Sequence, residues 1–173
     1  EAISYDEFVA GVERYRAHLR LFGASETEAK VALFIGNEPA FLQVFFAVIS
    51  LGLIGVPMDP NWTKVETEQV IDEVNPDFIV ASRQFNQSLI DAFPITFFIE
   101  DVPEDMREGL DYSPNDVSGD TLFYLGFTSG STGVPKGFYR DHRSWLTSFM
   151  AGESVFNHGQ EDVFLAPGPL CYS

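Results

Sequence analysis

One segment of the chain gathers residue types that can do chemistry: Thr128-Ser129-Gly130-Ser131-Thr132-Gly133-Val134-Pro135-Lys136-Gly137. The hydroxyls of Thr128, Ser129, Ser131 and Thr132 are interleaved with glycines. Gly130 and Gly133 allow the backbone to turn sharply and present N–H groups to a ligand at close range. Hydroxyls and N–H groups together are donors suited to phosphate oxygens. Lys136 adds a point charge whose approach Pro135 stiffens. Arg140 and Arg143 follow, so three of the ten Lys and Arg residues fall within eight positions of a chain whose net charge is −16. The chemistry this suggests is polyphosphate binding. A Ser/Gly-rich turn that binds nothing is the competing reading. Neither G-x-x-x-x-G-K-[ST] nor G-x-G-x-x-G occurs, which excludes the two commonest glycine-rich nucleotide loops.

Such a loop has to be positioned, and the flanking pattern indicates how. An apolar run at 122–127 reads as a strand, so the loop stands at a strand's carboxyl end, where open α/β sheets place their ligands. Upstream, Ser4 and Glu7 form a capping box. The stripe Phe8, Val12, Tyr15, Leu19 and Phe22 then marks a helix ending before Gly23. Residues 31–35 read as a buried parallel strand. The uncharged stretch 41–58 is long enough to span a membrane, but Gly52, Gly55 and Pro57 interrupt it and Glu38 and Asp59 flank it. It reads instead as a helix over 39–51 and a strand near 54–56.

Thr63 and Glu66 open a second capped helix, which ends before Pro76. Strands at 78–81 and 95–99, a short helix at 87–92, a helix over 143–156 and a strand at 163–166 complete the pattern. The alternation predicts an α/β layered domain with a mostly parallel sheet and flanking helices.

The chain has 173 residues, 45% of them hydrophobic and 21% charged. That suffices for one core and excludes a disordered or disulfide-stapled chain. The 17 phenylalanines predict a bulky, well-filled interior. With 26 Asp and Glu against 10 Lys and Arg, most of the surface should repel nucleic acid. Much of the acidity lies between Glu100 and Asp120 and reads as a solvated loop. The one cysteine, Cys171, excludes an internal disulfide and a thiolate zinc site. The chain reads as cytoplasmic, with no membrane span.

Residues 128–137 match the signature T-S-G-[ST]-T-G-x-P-K-G of the adenylate-forming (AMP-binding) enzymes at every specified position, and the chain resembles that superfamily. The context is similar too: 123–127 resembles the strand before the loop, and His142 the histidine that follows the Lys-Gly pair. Ser4-Tyr5-Asp6-Glu7-Phe8, the stretch from Lys30 to Phe41 and Gly55-Val56-Pro57-Met58-Asp59-Pro60 also resemble family segments.

The resemblance implies ATP-dependent activation of a carboxylic acid to an acyl-adenylate, then transfer to coenzyme A or a carrier protein, with Mg2+ sharing the phosphate charge. It assigns Thr128, Ser129, Gly130, Ser131, Thr132, Gly133 and Lys136 to the ATP β- and γ-phosphates. Pro169-Leu170-Cys171-Tyr172 stands where many relatives read P-L-F-H, which makes Tyr172 a candidate beside the acyl group; a packing aromatic is the alternative. No residue of the chain is assigned a catalytic role. The family's adenine- and ribose-binding segments, its threonine-glutamate pair and its C-terminal lysine have no counterpart here. The expectation is therefore that residues 1–173 are the N-terminal portion of a larger AMP-binding domain, inactive alone.

Phe138-Tyr139-Arg140-Asp141-His142-Arg143-Ser144-Trp145 is more similar to bacterial fatty acyl-CoA ligases than to amino-acid-activating domains. The rivals are an adenylation domain that loads amino or aryl acids onto a carrier protein, and a non-catalytic nucleotide-binding or scaffolding module.

Overall fold

The computed structural model describes residues 2–24, 28–106, 117–128, 135–157, 159, 161–164 and 168–170. Its elements are α1 (Tyr5–Leu21), β1 (Lys30–Phe34), α2 (Pro39–Ser50), β2 (Ile54–Pro57), α3 (Lys64–Val74), β3 (Phe78–Ala81), α4 (Gln87–Ile90), β4 (Phe97–Phe98), β5 (Leu122–Thr128), β6 (Lys136–Asp141) and α5 (His142–Phe156), with a 3-10 turn at Ile99–Asp101.

Both capping boxes form. Ser4 Oγ accepts from the Glu7 N–H at 3.2 Å while Glu7 Oε2 accepts from the Ser4 N–H at 2.8 Å. Thr63 and Glu66 repeat the arrangement at 3.3 and 2.7 Å. Each box satisfies backbone donors that the first helical turn leaves without partners. At the other end of α3, Asn75 takes a left-handed conformation (φ 46°) and the Lys30 ammonium donates to the Val74 carbonyl. A cation there also complements the helix dipole.

The strands form one six-stranded sheet in the order β4-β3-β1-β2-β5-β6, parallel from β4 to β5, with β6 antiparallel to β5. Both faces are covered, which is why β1 is apolar without interruption. Val31 and Leu33 point to the core shared with α1 and α2, through Tyr15, Leu19, Val44 and Val48. Ala32 and Phe34 point to the core shared with α3 and α4, through Val70, Val74, Leu89 and Ile90. The architecture is the layered α/β sheet expected.

Four features differ from the sequence reading. Residues 136–141 form β6, because Lys136–Asp141 pair along β5 from Thr128 back to Leu122. The strand expected at 95–99 shortens to Phe97–Phe98 and runs into the 3-10 turn. Val163 and Phe164 are not in a strand, and the rest of that expected element lies outside the described residues. The phenylalanines are not all interior: Phe22, Phe46, Phe149, Phe156 and Phe164 are exposed, and α5 buries no residue. The stripe on α1 therefore ends at Leu19, since Phe22 lies beyond the helix.

Among the described residues, no helix is long and apolar enough to cross a membrane. The stretch 41–58 folds as α2 and β2, as its Gly and Pro residues predicted.

Candidate functional site

Because β1, β2, β3 and β5 are parallel, their carboxyl ends lie on one edge of the sheet. The segments that follow them meet there. The chain after β1 leads into α2 on one face of the sheet, whereas the chains after β2 and β3 lead into α3 and α4 on the other. Connections that diverge in this way open a crevice, the usual ligand position of such sheets. A cleft of about 250 Å³ occupies this edge, lined by Gly36, Asn37, Glu38, Pro60, Gln84 and Asn86 among others.

On the same edge stands the foot of the candidate phosphate loop. Thr128 closes β5 and is paired with Lys136, the first residue of β6. The Thr128 Oγ1 donates to the Lys136 carbonyl at 3.5 Å, a long bond between exposed groups. The loop is thus carried on the turn of a two-strand hairpin, not on a strand-to-helix turn.

Gly126 is required at its base. A Cβ there would overlap the Tyr124 ring and reach within 2.8 Å of Phe138. The loop after β2 props the same strand: Trp62 meets Phe127 edge-on at 5.5 Å. Asp59 is buried, and its Oδ1 accepts from both the backbone and side-chain N–H groups of Asn61, at 2.8 and 2.9 Å.

Of the phosphate-site candidates, Thr128 and Lys136 are described and both are exposed on this edge. The Lys136 ammonium has no ion-pair or hydrogen-bond partner among the described residues. An exposed cation in an acidic chain, at the end of a glycine- and hydroxyl-rich loop, fits an anionic ligand. Ser129, Gly130, Ser131, Thr132 and Gly133 lie outside the described residues, as do Cys171 and Tyr172. Leu170, two positions before Tyr172, donates its N–H to Asn37 Oδ1 at 2.7 Å. Leu170, the last described residue of that stretch, is therefore held just beyond the carboxyl end of β1.

The three clustered cations do not form one patch. Residues along β6 rise about 3.4 Å each, which carries Arg140 and Arg143 toward the opposite edge of the sheet. Arg143 bonds Asp120 at 2.8 Å with both side chains mostly exposed, and Arg140 donates to the Ser144 and Ser148 hydroxyls of α5. Only Lys136 remains at the loop. The acidic stretch is likewise partly structured. Glu100 accepts from the Ser82 hydroxyl at 2.9 Å and the Arg83 N–H at 2.8 Å, and Asp101 pairs with Arg83 at 2.7 Å.

His142 begins α5, whose N-cap Asp141 accepts from the Ser144 N–H at 2.6 Å. Its ring stacks on Phe123 at 4.5 Å, and burial draws its pKa below the usual histidine value against the weaker opposing pull of Asp141. Sequence reading located this histidine but gave it no function, because its burial depends on β6 folding back.

The profile of the AMP-binding enzymes (AMP-binding enzyme) matches residues 1–173, the whole chain. The chain belongs to the AMP-binding enzyme family. An uncharacterized acyl-CoA ligase, YhfT, of Bacillus subtilis is 34% identical over 144 residues, 83% of this chain and 30% of the relative. A putative long chain fatty acid-CoA ligase, VraA, of Staphylococcus epidermidis is 35% identical over 161 residues, 93% of this chain and 31% of the relative. The chain thus spans about 30% of the length of these curated relatives. Among solved structures, o-succinylbenzoate coenzyme A synthetase (MenE) of B. subtilis in complex with ATP and magnesium superposes with a TM-score of 0.83. Identity is 16%, over 99% of this chain and 46% of that one. At that identity the likeness speaks for the fold alone. The sheet is that of the N-terminal domains of adenylate-forming enzymes.

Proposed function

We propose that the chain is the N-terminal portion of an ATP-dependent acid–thiol ligase that activates a carboxylic acid, a fatty acid by preference, and passes the acyl group to coenzyme A. The observation that carries this reading is the complete T-S-G-S-T-G-x-P-K-G segment at the carboxyl end of β5, with an exposed Lys136 at its foot. Family membership over the full chain and relatives named as acyl-CoA ligases support it. Their greater length supports assigning 1–173 to the first part of the parent, a part inactive alone and cytoplasmic like the parent.

In the reaction a carboxylate oxygen attacks the α-phosphorus of ATP. The new O–P bond forms as the bond to the β-phosphate oxygen breaks, giving acyl-adenylate and pyrophosphate. Thr128, Ser129, Ser131 and Thr132, the backbone at Gly130 and Gly133, and Lys136 would hold the β- and γ-phosphates. Their task is to orient the leaving group and offset its growing charge, an electrostatic role that needs no proton transfer. A thiol then displaces AMP.

Magnesium, when bound, supplies further positive charge at the phosphates. Among the described residues no group of three or more His, Cys, Asp or Glu side chains is placed to hold a metal. The hydroxyls of the loop fit a metal carried in on the nucleotide.

The test is carboxylate-dependent ATP–pyrophosphate exchange by the complete parent, comparing fatty, aryl and amino acids. Exchange driven by fatty acids is expected. Exchange confined to amino or aryl acids would move the parent to the carrier-loading class, and none with any acid would overturn the enzyme reading.

A further inference from the structure

The hairpin that carries the phosphate loop is weakly tied to the sheet beside it. Among the described residues, β2 pairs with β5 at one position, Gly55 with Tyr124. Continuing that parallel register places Pro57 beside Gly126, and proline has no N–H to give to a neighbouring strand. From Leu125 to Thr128, β5 is paired on its other side with β6, which ends the strand order. Backbone pairing to the body of the sheet therefore stops at Tyr124, short of Thr128 and Lys136.

A side-chain contact takes over where the pairing stops. Phe127, adjacent to Thr128, packs against the core that Leu125 shares with α3 and α4. Its ring reaches over β6, where a Cβ at Gly137 would come within 3.3 Å of Phe127 Cε1. Trp62 meets the same ring edge-on, with 5.5 Å between centroids. The indole stands on a stiff support. The Trp62 N–H donates to the carbonyl of the buried Asp59 at 3.2 Å, and the next residue, Thr63, is the boxed N-cap of α3. Both rings are half-buried, so the contact lies at the rim of the core, where it contributes placement more than burial.

We propose that Trp62 is a positioning residue for phosphate binding: pressed on Phe127, it holds Thr128 and Lys136 where the β- and γ-phosphates of ATP need them. The proposal rests on the acid-activating reading above and adds to its phosphate site a residue from outside the glycine- and hydroxyl-rich segment. Placement matters there, because a group displaced by about 1 Å can lose up to a hundredfold in rate. Trp62 can bias that placement by no more than its own contact is worth, and one edge-on aromatic pair corresponds to about three- to tenfold in an equilibrium constant.

The experiment uses the complete parent. It measures KM for pyrophosphate and for the acid in ATP–pyrophosphate exchange, with equilibrium dialysis of labelled inorganic tripolyphosphate and of AMP. A loss of folded enzyme alone does not move KM. Trp62→Ala should raise KM for pyrophosphate and weaken tripolyphosphate by about three- to tenfold, with acid KM and AMP binding unchanged. Trp62→Phe, which keeps a ring edge, should recover most of the loss, and Phe127→Leu should reproduce it. In a Lys136→Ala background Trp62→Ala should cost less than it does alone, since part of what it positions is gone.

If the parent exchanges but Trp62→Ala leaves pyrophosphate KM unchanged, Trp62→Phe is no better than Trp62→Ala, or the two losses add in full, the proposal falls and the acid-activating reading stands. Weaker AMP binding with unchanged tripolyphosphate binding would make Trp62 a contact for the nucleoside and overturn the proposal as well. If no acid drives exchange, the acid-activating reading falls and tripolyphosphate dialysis decides. Weakening by Trp62→Ala that Trp62→Phe reverses keeps the positioning role; no change, or no tripolyphosphate binding by the unmutated parent, ends it.

Discussion

Lys136 is the residue on which the phosphate reading turns. It is exposed, and its side chain supports no other part of the described structure. Lys136→Ala in the complete parent should therefore leave the melting temperature unchanged while lowering pyrophosphate exchange by about 10²–10³, the usual effect of removing one preorganised donor to a developing charge. Normal exchange by the mutant would remove Lys136 from the site. A second residue-scale effect concerns pH. His18 sits between the rings of Phe22 and Phe97, at 5.3 and 4.6 Å, with its Nδ1 buried and unpartnered among the described residues. Burial holds its pKa below the ordinary 6.5, and the Asp101 carboxylate only partly opposes this. The unfolded chain thus binds a proton more readily. The stability associated with neutral His18 is present above pH 6.5 and declines as pH falls below it. Thermal melts between pH 7.5 and 5.5 should show that decline, and His18→Phe should reduce its slope; His142, depressed for the same reason, acts in the same direction.

Among the elements, the capped helices were the most legible, because a capping box is local chemistry within four residues. Thr63→Ala removes the acceptor of the Glu66 N–H and a partner of the Glu66 carboxylate. It should cost about 1 kcal/mol in chemical denaturation, and Thr63→Ser should recover most of it. The Glu66 carboxyl is held below its ordinary range by the hydroxyl and backbone of Thr63, so the Thr63→Ala deficit should shrink in acid, once that carboxyl is protonated. β6 was not legible. Gly137, Phe138 and Tyr139 alternate no more clearly than loop residues do, and the pairing that makes them a strand is supplied by β5 across a turn. The same pairing separates Arg143 from Lys136, which along the sequence look like members of one cluster.

At the scale of the molecule, α5 stands out as a helix with no buried residue. Leu146, Phe149, Met150 and Phe156 are all more than half exposed, beside a chain of net charge −16. Apolar exposure on this scale favours association, whereas the like charges of two copies oppose it. Salt screens the second effect and leaves the first. Sedimentation of the 173-residue chain should therefore show self-association that grows with salt, and the double variant Met150→Glu, Phe156→Glu should remain monomeric in both conditions. A chain that stays monomeric at high salt without these changes would show that α5 is not an associating face.

The sequence by itself determined the alternation of strand and helix, both capping boxes, the division of 41–58 into α2 and β2, and the position of the Thr128–Lys136 segment after a buried strand. All of these depend on neighbours within a few residues, or on apolar runs whose length is set by burial. Tertiary structure alone decided the strand order, the hairpin that carries the loop and the return of Leu170 to Asn37. It also scattered the cations and enclosed His142 against Phe123. Each of these joins residues far apart in the chain, or distant in direction, and depends on which strand pairs with which. Local composition does not encode that choice, because backbone hydrogen bonding between strands carries no residue identity; the packing of both sheet faces selects it.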